Sequence, residues 1–305
     1  MKLNILNKEI TDHITHSQFC YDWRNIFFVL LFMIVGFGYT PVYYFQNDFH
    51  FTYGPWLLAF VLYWVAGLSI TMGYHRLYSH RSYTTSKGVE ALLLLFGTLA
   101  LQNSALKWCY DHRLHHRFTD QEKDPYNAQL GFWWSHLVWI FFKPKSAYQY
   151  DDALSFQDNL LNEFQGVNDL VANRLVRLQH LLAVPVGFLL SFLIPLLFGL
   201  LSNNISEYLL VAGFFRVAIT HQSTFCINSI AHLLGRSTYN KKVSAKDNWL
   251  CSLFAFGEGY HNYHHAFPND YRNGVKLFNF DPTKWIIYCF SLVGLTWQLR
   301  RKNSC

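Results

Sequence analysis

The 305-residue chain is 51% hydrophobic, 19% aromatic and 14% charged, where soluble domains carry about 25% charged residues. This excludes a disordered chain, a collagen-like chain and a small disulfide scaffold, and points to a chain solvated partly by lipid. A net charge of +6 does not make a nucleic-acid binder, because the 25 Lys and Arg form no single run and alternate with the 19 acids.

In chain order, residues 26–45 hold no charge, and at 1.5 Å per residue they reach about 30 Å, the thickness of a hydrocarbon core. Residues 51–74 form a second uncharged run. Residues 89–101 are apolar but short, and their continuation through Lys107 predicts a buried or interfacial helix. Residues 181–201 form a third span containing Pro185 and Pro195, which lipid-embedded helices tolerate. Residues 208–231 form a fourth, less clean span, with Arg216, His221, Gln222 and Asn228 inside it. Ionisable residues in a membrane face the bundle interior and mark function. Residues 285–299 read as another interfacial helix, with Arg300-Arg301-Lys302 among anionic headgroups.

The predicted architecture is all-α, with four transmembrane helices and one domain over residues 1–305. Residues 75–180 and 232–305 then lie on one side and form a cap. Residues 1–24, 76–178 and 232–305 carry 3, 11 and 10 Lys/Arg, so 24 of 25 lie on that side, Arg216 being the exception. By the positive-inside rule that side, with both termini, is cytoplasmic. No signal peptide is expected ahead of the first span, and no internal repeat is visible. The six Cys (Cys20, Cys109, Cys226, Cys251, Cys289 and Cys305) form no C-x-x-C, so zinc-ribbon and thioredoxin readings fail and they read as small apolar fillers.

Nine of the 15 His fall in groups. His75 and His80 form H-x-x-x-x-H, His112, His115 and His116 form H-x-x-H-H, and His261, His264 and His265 repeat it. His232 ends the fourth span, one turn after Asn228. Positions i, i+3 and i+4 share a helix face, so each triplet projects together. His75 and His80 would sit about 140° apart on an ideal helix and fit better if the span ends between them and the chain turns back. Clustered imidazoles repel when protonated and need two partners each when neutral; a metal removes both problems. Nine exceed one ion's coordination, so two ions are implied, and imidazole suits iron, copper, zinc and nickel alike. His13, His16, His50, His136, His180 and His221 are given no metal role; His136 is expected to pack or to support the site.

The segments Gly73-Tyr74-His75-Arg76-Leu77-Tyr78-Ser79-His80, Asp111-His112-Arg113-Leu114-His115-His116, Asn228-Ser229-Ile230-Ala231-His232 and Gly257-Glu258-Gly259-Tyr260-His261-Asn262-Tyr263-His264-His265 resemble the membrane fatty-acid desaturases, in particular the stearoyl-CoA (Δ9) branch. The resemblance covers roughly residues 25–290. It implies a cytoplasmic helical cap over a di-iron centre, with all nine histidines as iron ligands, Asn228 holding a water at the open position, and molecular oxygen as co-substrate. It also implies a bent apolar tunnel; Trp108, Trp133, Trp134 and Phe225 suit its wall. The implied reaction is insertion of a cis double bond, at carbon 9, into a long saturated acyl chain.

Electrons would come from a separate donor with its reductase, such as a ferredoxin, a rubredoxin or a b-type cytochrome, and Lys241, Lys242 and Lys246 are basic residues that could meet an acidic one. Where the acyl-CoA enzymes carry phosphate-gripping cations this chain has Tyr110, Gln129, Leu130, His180 and Leu181, which leaves CoA, an acyl-carrier protein or a phospholipid as the carrier. A di-iron membrane hydroxylase or ketolase is the nearest rival. A metal transporter fits less well, since transporters hold ligands near the midplane and show inverted repeats. Without a fused cytochrome or a C-terminal retention signal, a bacterial inner membrane is the expected location.

Overall fold

The computed structural model describes residues 19–144 and 151–302; His13, His16 and Cys305 lie outside them. Four helices are long and apolar enough to cross a membrane: α1 (Trp23–Gln46), α2 (Tyr53–Ser79), α5 (Arg174–Leu201) and α6 (Ile205–Leu233). They match the four predicted spans and extend each. Local chemistry sets their starts. The Asp22 carboxylate accepts from the Asn25 amide at 3.2 Å, and Asn173 accepts from the Leu175 amide at 3.0 Å, both N-caps. Pro185 and Pro195 lie inside α5 without ending it.

The helices are not equally placed. Of the most apolar stretch of α6, 61% is buried, against 22% for α1 and for α5. That is why α6 can carry polar residues: they face protein and not lipid. Gly36 of α1 lets the two helices meet, since a Cβ there would lie 2.9 Å from the Ala218 Cβ on α6.

The apolar stretch after α2 forms two helices, α3 (Lys87–Gly97, continued by a tight turn at Thr98–Ala100) and α4 (Ala105–Phe118), bent by 82° between them. The break follows from the backbone: Leu101 and Asn103 take φ of +50° and +68°, and the Ser104 hydroxyl then caps α4 through the Lys107 amide. Short helices after α4, together with α7 (His261–Ala266) and α8 (Pro282–Leu292), build the cap. The predicted helix over 285–299 is corrected at its end. Helix α8 stops at Leu292, Gly294 adopts φ +73°, and Thr296–Trp297 pairs antiparallel with Thr84–Thr85. The basic tail is also tied into the fold: Arg300 donates its amide to Ser82 O at 2.9 Å, and Lys302 donates its amide to Asp270. The five described cysteines are free thiols.

Candidate metal centre

His75 and His80 come together by a means the spacing alone did not suggest. The helix does end between them, at Ser79, but its last turns, Ile70–Ser79, widen to i→i+5 hydrogen bonding, and the His80 amide donates to His75 O at 3.1 Å. Five residues then make one turn, and the two rings meet edge to face with centroids 4.8 Å apart. Such wide turns concentrate at functional sites.

All nine histidines converge, in two groups whose ligand atoms lie within 4.8 Å of one another. The first holds His75, His80, His112, His116 and His264; the second holds His115, His232, His261 and His265. Each H-x-x-H-H triplet straddles both groups: α4 gives two rings to the first and one to the second, and α7 gives one and two. Helix α6 supplies His232 from its end. The Nε2 atoms face one another: His80 to His112 at 2.8 Å, His116 to His264 at 2.9 Å, His75 to His264 at 3.0 Å, His232 to His261 at 3.0 Å, and His115 to His265 at 3.1 Å.

The opposite ring nitrogens explain the orientation. His115 Nδ1 lies 2.9 Å from Asp124 Oδ1, His232 Nδ1 lies 2.7 Å from the Ser244 hydroxyl, and His75 Nδ1 contacts Glu258 Oε2 at 2.8 Å. A carboxylate accepts a hydrogen bond from Nδ1–H, which fixes that tautomer, so the Nε2 atoms of His75 and His115 turn lone pairs toward the centre. Burial first, and neighbouring rings second, hold His80, His112, His115, His116, His261, His264 and His265 well below the ordinary imidazole value, so they are neutral donors. Facing lone pairs at about 3 Å in a dry site are stable only around cations. The donor set therefore fits two metal ions.

The partners of Nδ1 are what the histidine spacing missed. Burial holds the Asp124 carboxyl up at about 8 even though amides of Asp120 and Tyr126 act to lower it; a cation held by His115 would lower it. Burial also acts to raise Glu258, yet His75 and Arg76 hold it down at about 2. Arg76, 1% exposed, bridges Glu258 and Asp281 and donates to Tyr271 O, fastening the end of α2 to the cap. Asp120 accepts from the Ser244 amide and hydroxyl behind His232. Acidic residues beside the histidine motifs were the available signal: Asp124 follows His115 by nine positions, and Glu258 precedes His261 by three.

The other singled-out residues fall as follows. Trp108 stacks on His112 at 5.0 Å. Phe225 is buried between His136 and His221. Trp134 is buried against Phe142, whereas Trp133 is 53% exposed. Asn228 is half-buried at the end of the helical segment before His232. His136 ties the segment Phe132–His136 to α6 through Ser229 at 2.8 Å and Gln222 at 3.0 Å. Tyr110 packs edge-on against Phe164, and His180 bonds the Ser104 hydroxyl at 2.7 Å. Gln129 and Leu181 are exposed. Lys241 and Lys242 are exposed, while the Lys246 ammonium is engaged by Leu233 O at 2.9 Å. His50 is exposed and away from both groups.

Four membrane-length helices capped by a buried, carboxylate-supported, nine-histidine pair of groups that could hold metal define an integral membrane protein with a candidate metal centre. The fatty acid desaturase family model matches residues 51–287, and the chain belongs to that family. It is 41% identical over 246 residues to "Acyl-CoA desaturase 1" of Saccharomyces cerevisiae, covering 80% of this chain and 46% of that one. It is 40% identical to "Probable acyl-CoA desaturase" of Schizosaccharomyces pombe, covering 80% and 48%. It is 34% identical over 287 residues to "Stearoyl-CoA desaturase" of Homo sapiens, covering 93% and 75%. The chain thus spans about half the length of the yeast relatives it matches. These relatives come from yeasts and a mammal, so the expected bacterial inner membrane finds no support and that expectation is withdrawn.

Proposed function

We propose that the chain is an O2-dependent fatty-acyl desaturase that places a cis double bond at carbon 9 of a long saturated acyl-CoA, at two iron ions held by the nine histidines. The observation that carries this reading is the convergence of the nine rings into two adjoining groups at the cap end of an apolar bundle. Iron with oxygen supplies an oxidant able to take hydrogen from an unactivated methylene, which acid–base chemistry cannot do. In sum, two hydrogens from the acyl chain and two electrons and two protons from outside reduce one O2 to two waters.

The residues have distinct duties. Glu258 and Asp124 orient His75 and His115, and Ser244 with Asp120 orients His232. Asn228 holds a water at the second group. Trp108 lies flat against His112 and forms the tunnel wall nearest the site, with Phe225 and Trp134 further along; Trp133, exposed, contributes least. Burial of the rings excludes water, and the wall fixes which carbon is presented. The relatives' names support CoA as carrier, although Tyr110, Gln129, Leu130, His180 and Leu181 offer no guanidinium or ammonium group to its phosphates. The chain works as one membrane domain, with its cap and both termini on the cytoplasmic face of a eukaryotic membrane. A separate donor (ferredoxin, rubredoxin or b-type cytochrome) with its reductase supplies the electrons.

The test is expression in a host that lacks an oxygen-dependent desaturase but supplies a donor and reductase, followed by gas chromatography–mass spectrometry of total fatty acids. A new monoene unsaturated at carbon 9, absent from His112→Ala, is the expected result. A hydroxy acid in its place would overturn the assignment in favour of a hydroxylase.

A further inference from the structure

Arg216 is the one Lys or Arg that the positive-inside count leaves within a span, and its place in the fold is unusual. It is 1% exposed at the middle of α6, and no carboxylate among the described residues pairs with it. Its Nε donates to Ala212 O at 3.2 Å, its Nη1 donates to Leu99 O at 2.5 Å, and its Nη2 has no partner among the described residues. Five residues further along, His221, 4% exposed, bonds Ala100 O through Nε2 at 3.0 Å. The sequence singled out both residues as anomalies of the fourth span, and neither belongs to the metal groups.

Leu99 and Ala100 are the last residues of the α3 stretch before the break at Leu101. A helix end leaves carbonyls without intrahelical donors and carries a partial negative charge. In water they would be solvated; inside a bilayer only protein groups can satisfy them. Arg216 and His221 do so from the neighbouring helix, as C-caps supplied in trans. Gln102, within the break, adds a third tie to α6 by donating to the Thr224 hydroxyl at 2.9 Å. From the other side, Gln179 of α5 accepts from the Ala105 amide at 2.9 Å. The helix that leaves this clamp is α4, which carries Trp108, His112, His115 and His116. The helix that provides most of the clamp is α6, which carries His232.

We propose that Arg216 and His221 are positioning residues for the metal centre. By capping the broken helix inside the bilayer they set the height and heading of α4 relative to α6, and so bring rings from α4 to the Nε2 distances that both groups show. This rests on the metal-site reading above. An arginine suits the role because it remains charged and offers several donors to carbonyls; His221 adds a neutral donor through Nε2–H.

The test compares the 305-residue wild type with Arg216→Met, Arg216→Lys, His221→Leu and His221→Gln, each purified in the same detergent. Hydrogen exchange is followed by mass spectrometry, and binding of cobalt(II) alone is followed by its visible absorption. In Arg216→Met and His221→Leu, exchange quickens in peptides covering 99–110 while 282–292 stays at the wild-type rate. Cobalt affinity falls about tenfold, the scale of an outer-shell lesion. Arg216→Lys and His221→Gln, which keep a donor, recover a large part of both. Wild-type cobalt affinity in Arg216→Met, or lysine rescuing no better than methionine, overturns the positioning role. Exchange quickened equally throughout the chain also overturns it, since that marks a global lesion. If Arg216→Met gives no monodisperse protein, the His221 pair carries the comparison. A wild type that binds no cobalt refutes the metal reading instead, and the exchange data then still decide the clamp.

Discussion

Arg76→Met tests the most heavily charged junction in the protein. The substitution keeps the length of the side chain and removes its charge. Arg76 lies between Glu258 and Asp281, with Nη2 at 3.0 Å from an oxygen of each, and all three side chains are buried. Removing one partner from a buried pair costs about 3–5 kcal/mol, because the other charge is left uncompensated. A second route gives a similar size. Glu258 is held at about 2 against an ordinary value of 4.5, and that displacement corresponds to about 3 kcal/mol, shared between Arg76 and His75. The sign follows from the direction. The folded value lies below the unfolded one, so this contribution is complete above about pH 4.5 and is lost as pH falls toward 2.

Unfolding by SDS titration in mixed micelles, read by tryptophan fluorescence, should show Arg76→Met less stable by about 3–5 kcal/mol at pH 7, with the gap narrowing as pH falls below the ordinary carboxylate value. Arg81→Met is the control: Arg81 pairs with Asp169 but its side chain is 58% exposed, so its loss should cost no more than about 1 kcal/mol. Equal losses for the two variants at neutral pH, or a gap for Arg76→Met that does not change with pH, would refute the electrostatic account.

Three further outcomes are expected. Asp124→Asn keeps an acceptor for His115 but loses the charge, and its amide cannot accept from the Asp120 amide as Oδ2 does at 3.1 Å; cobalt(II) affinity, read by chelator competition, should fall about 10–100-fold, and an unchanged affinity would remove Asp124 from the supporting shell. Gly187→Ala brings a Cβ to 2.6 Å from Thr98 O, whereas Gly88→Ala meets nothing within 4 Å; the first should cost about 1–3 kcal/mol in the same SDS titration and the second nothing, and similar losses would show that the α3–α5 contact is looser than drawn. In a cysteine-free background, Asp48→Cys, in the exposed loop between α1 and α2, should react with an impermeant maleimide only from the extracytoplasmic side and Lys241→Cys only from the cytoplasmic side; the reverse pattern would invert the orientation.

The four spans were legible because lipid demands long uninterrupted apolar runs, a signal that needs no partner to be read. The histidine motifs were legible because i, i+3 and i+4 place donors on one helix face. Where non-local contacts decide, sequence stopped short. Residues 89–107 read as one continuous helix because their composition is continuous; the carbonyls exposed before the break at Leu101 are met by Arg216 and His221, more than a hundred positions away, and no local signal shows that. The H-x-x-x-x-H motif read as a helix end because an ideal turn separates its rings; the helix does end at Ser79, but only its wide last turns bring the two rings edge to face.

By itself, then, the sequence determined that this is a four-span helical membrane protein with histidines enough for two metal ions, since hydropathy and helical periodicity are properties of neighbouring residues. Tertiary structure alone decided how the nine rings divide into groups of five and four, and which carboxylates aim them. It also decided why an unpaired arginine can sit at the centre of the bundle. Each of these depends on which distant groups meet in a dry interior, where buried donors and acceptors can be satisfied only by partners across the fold.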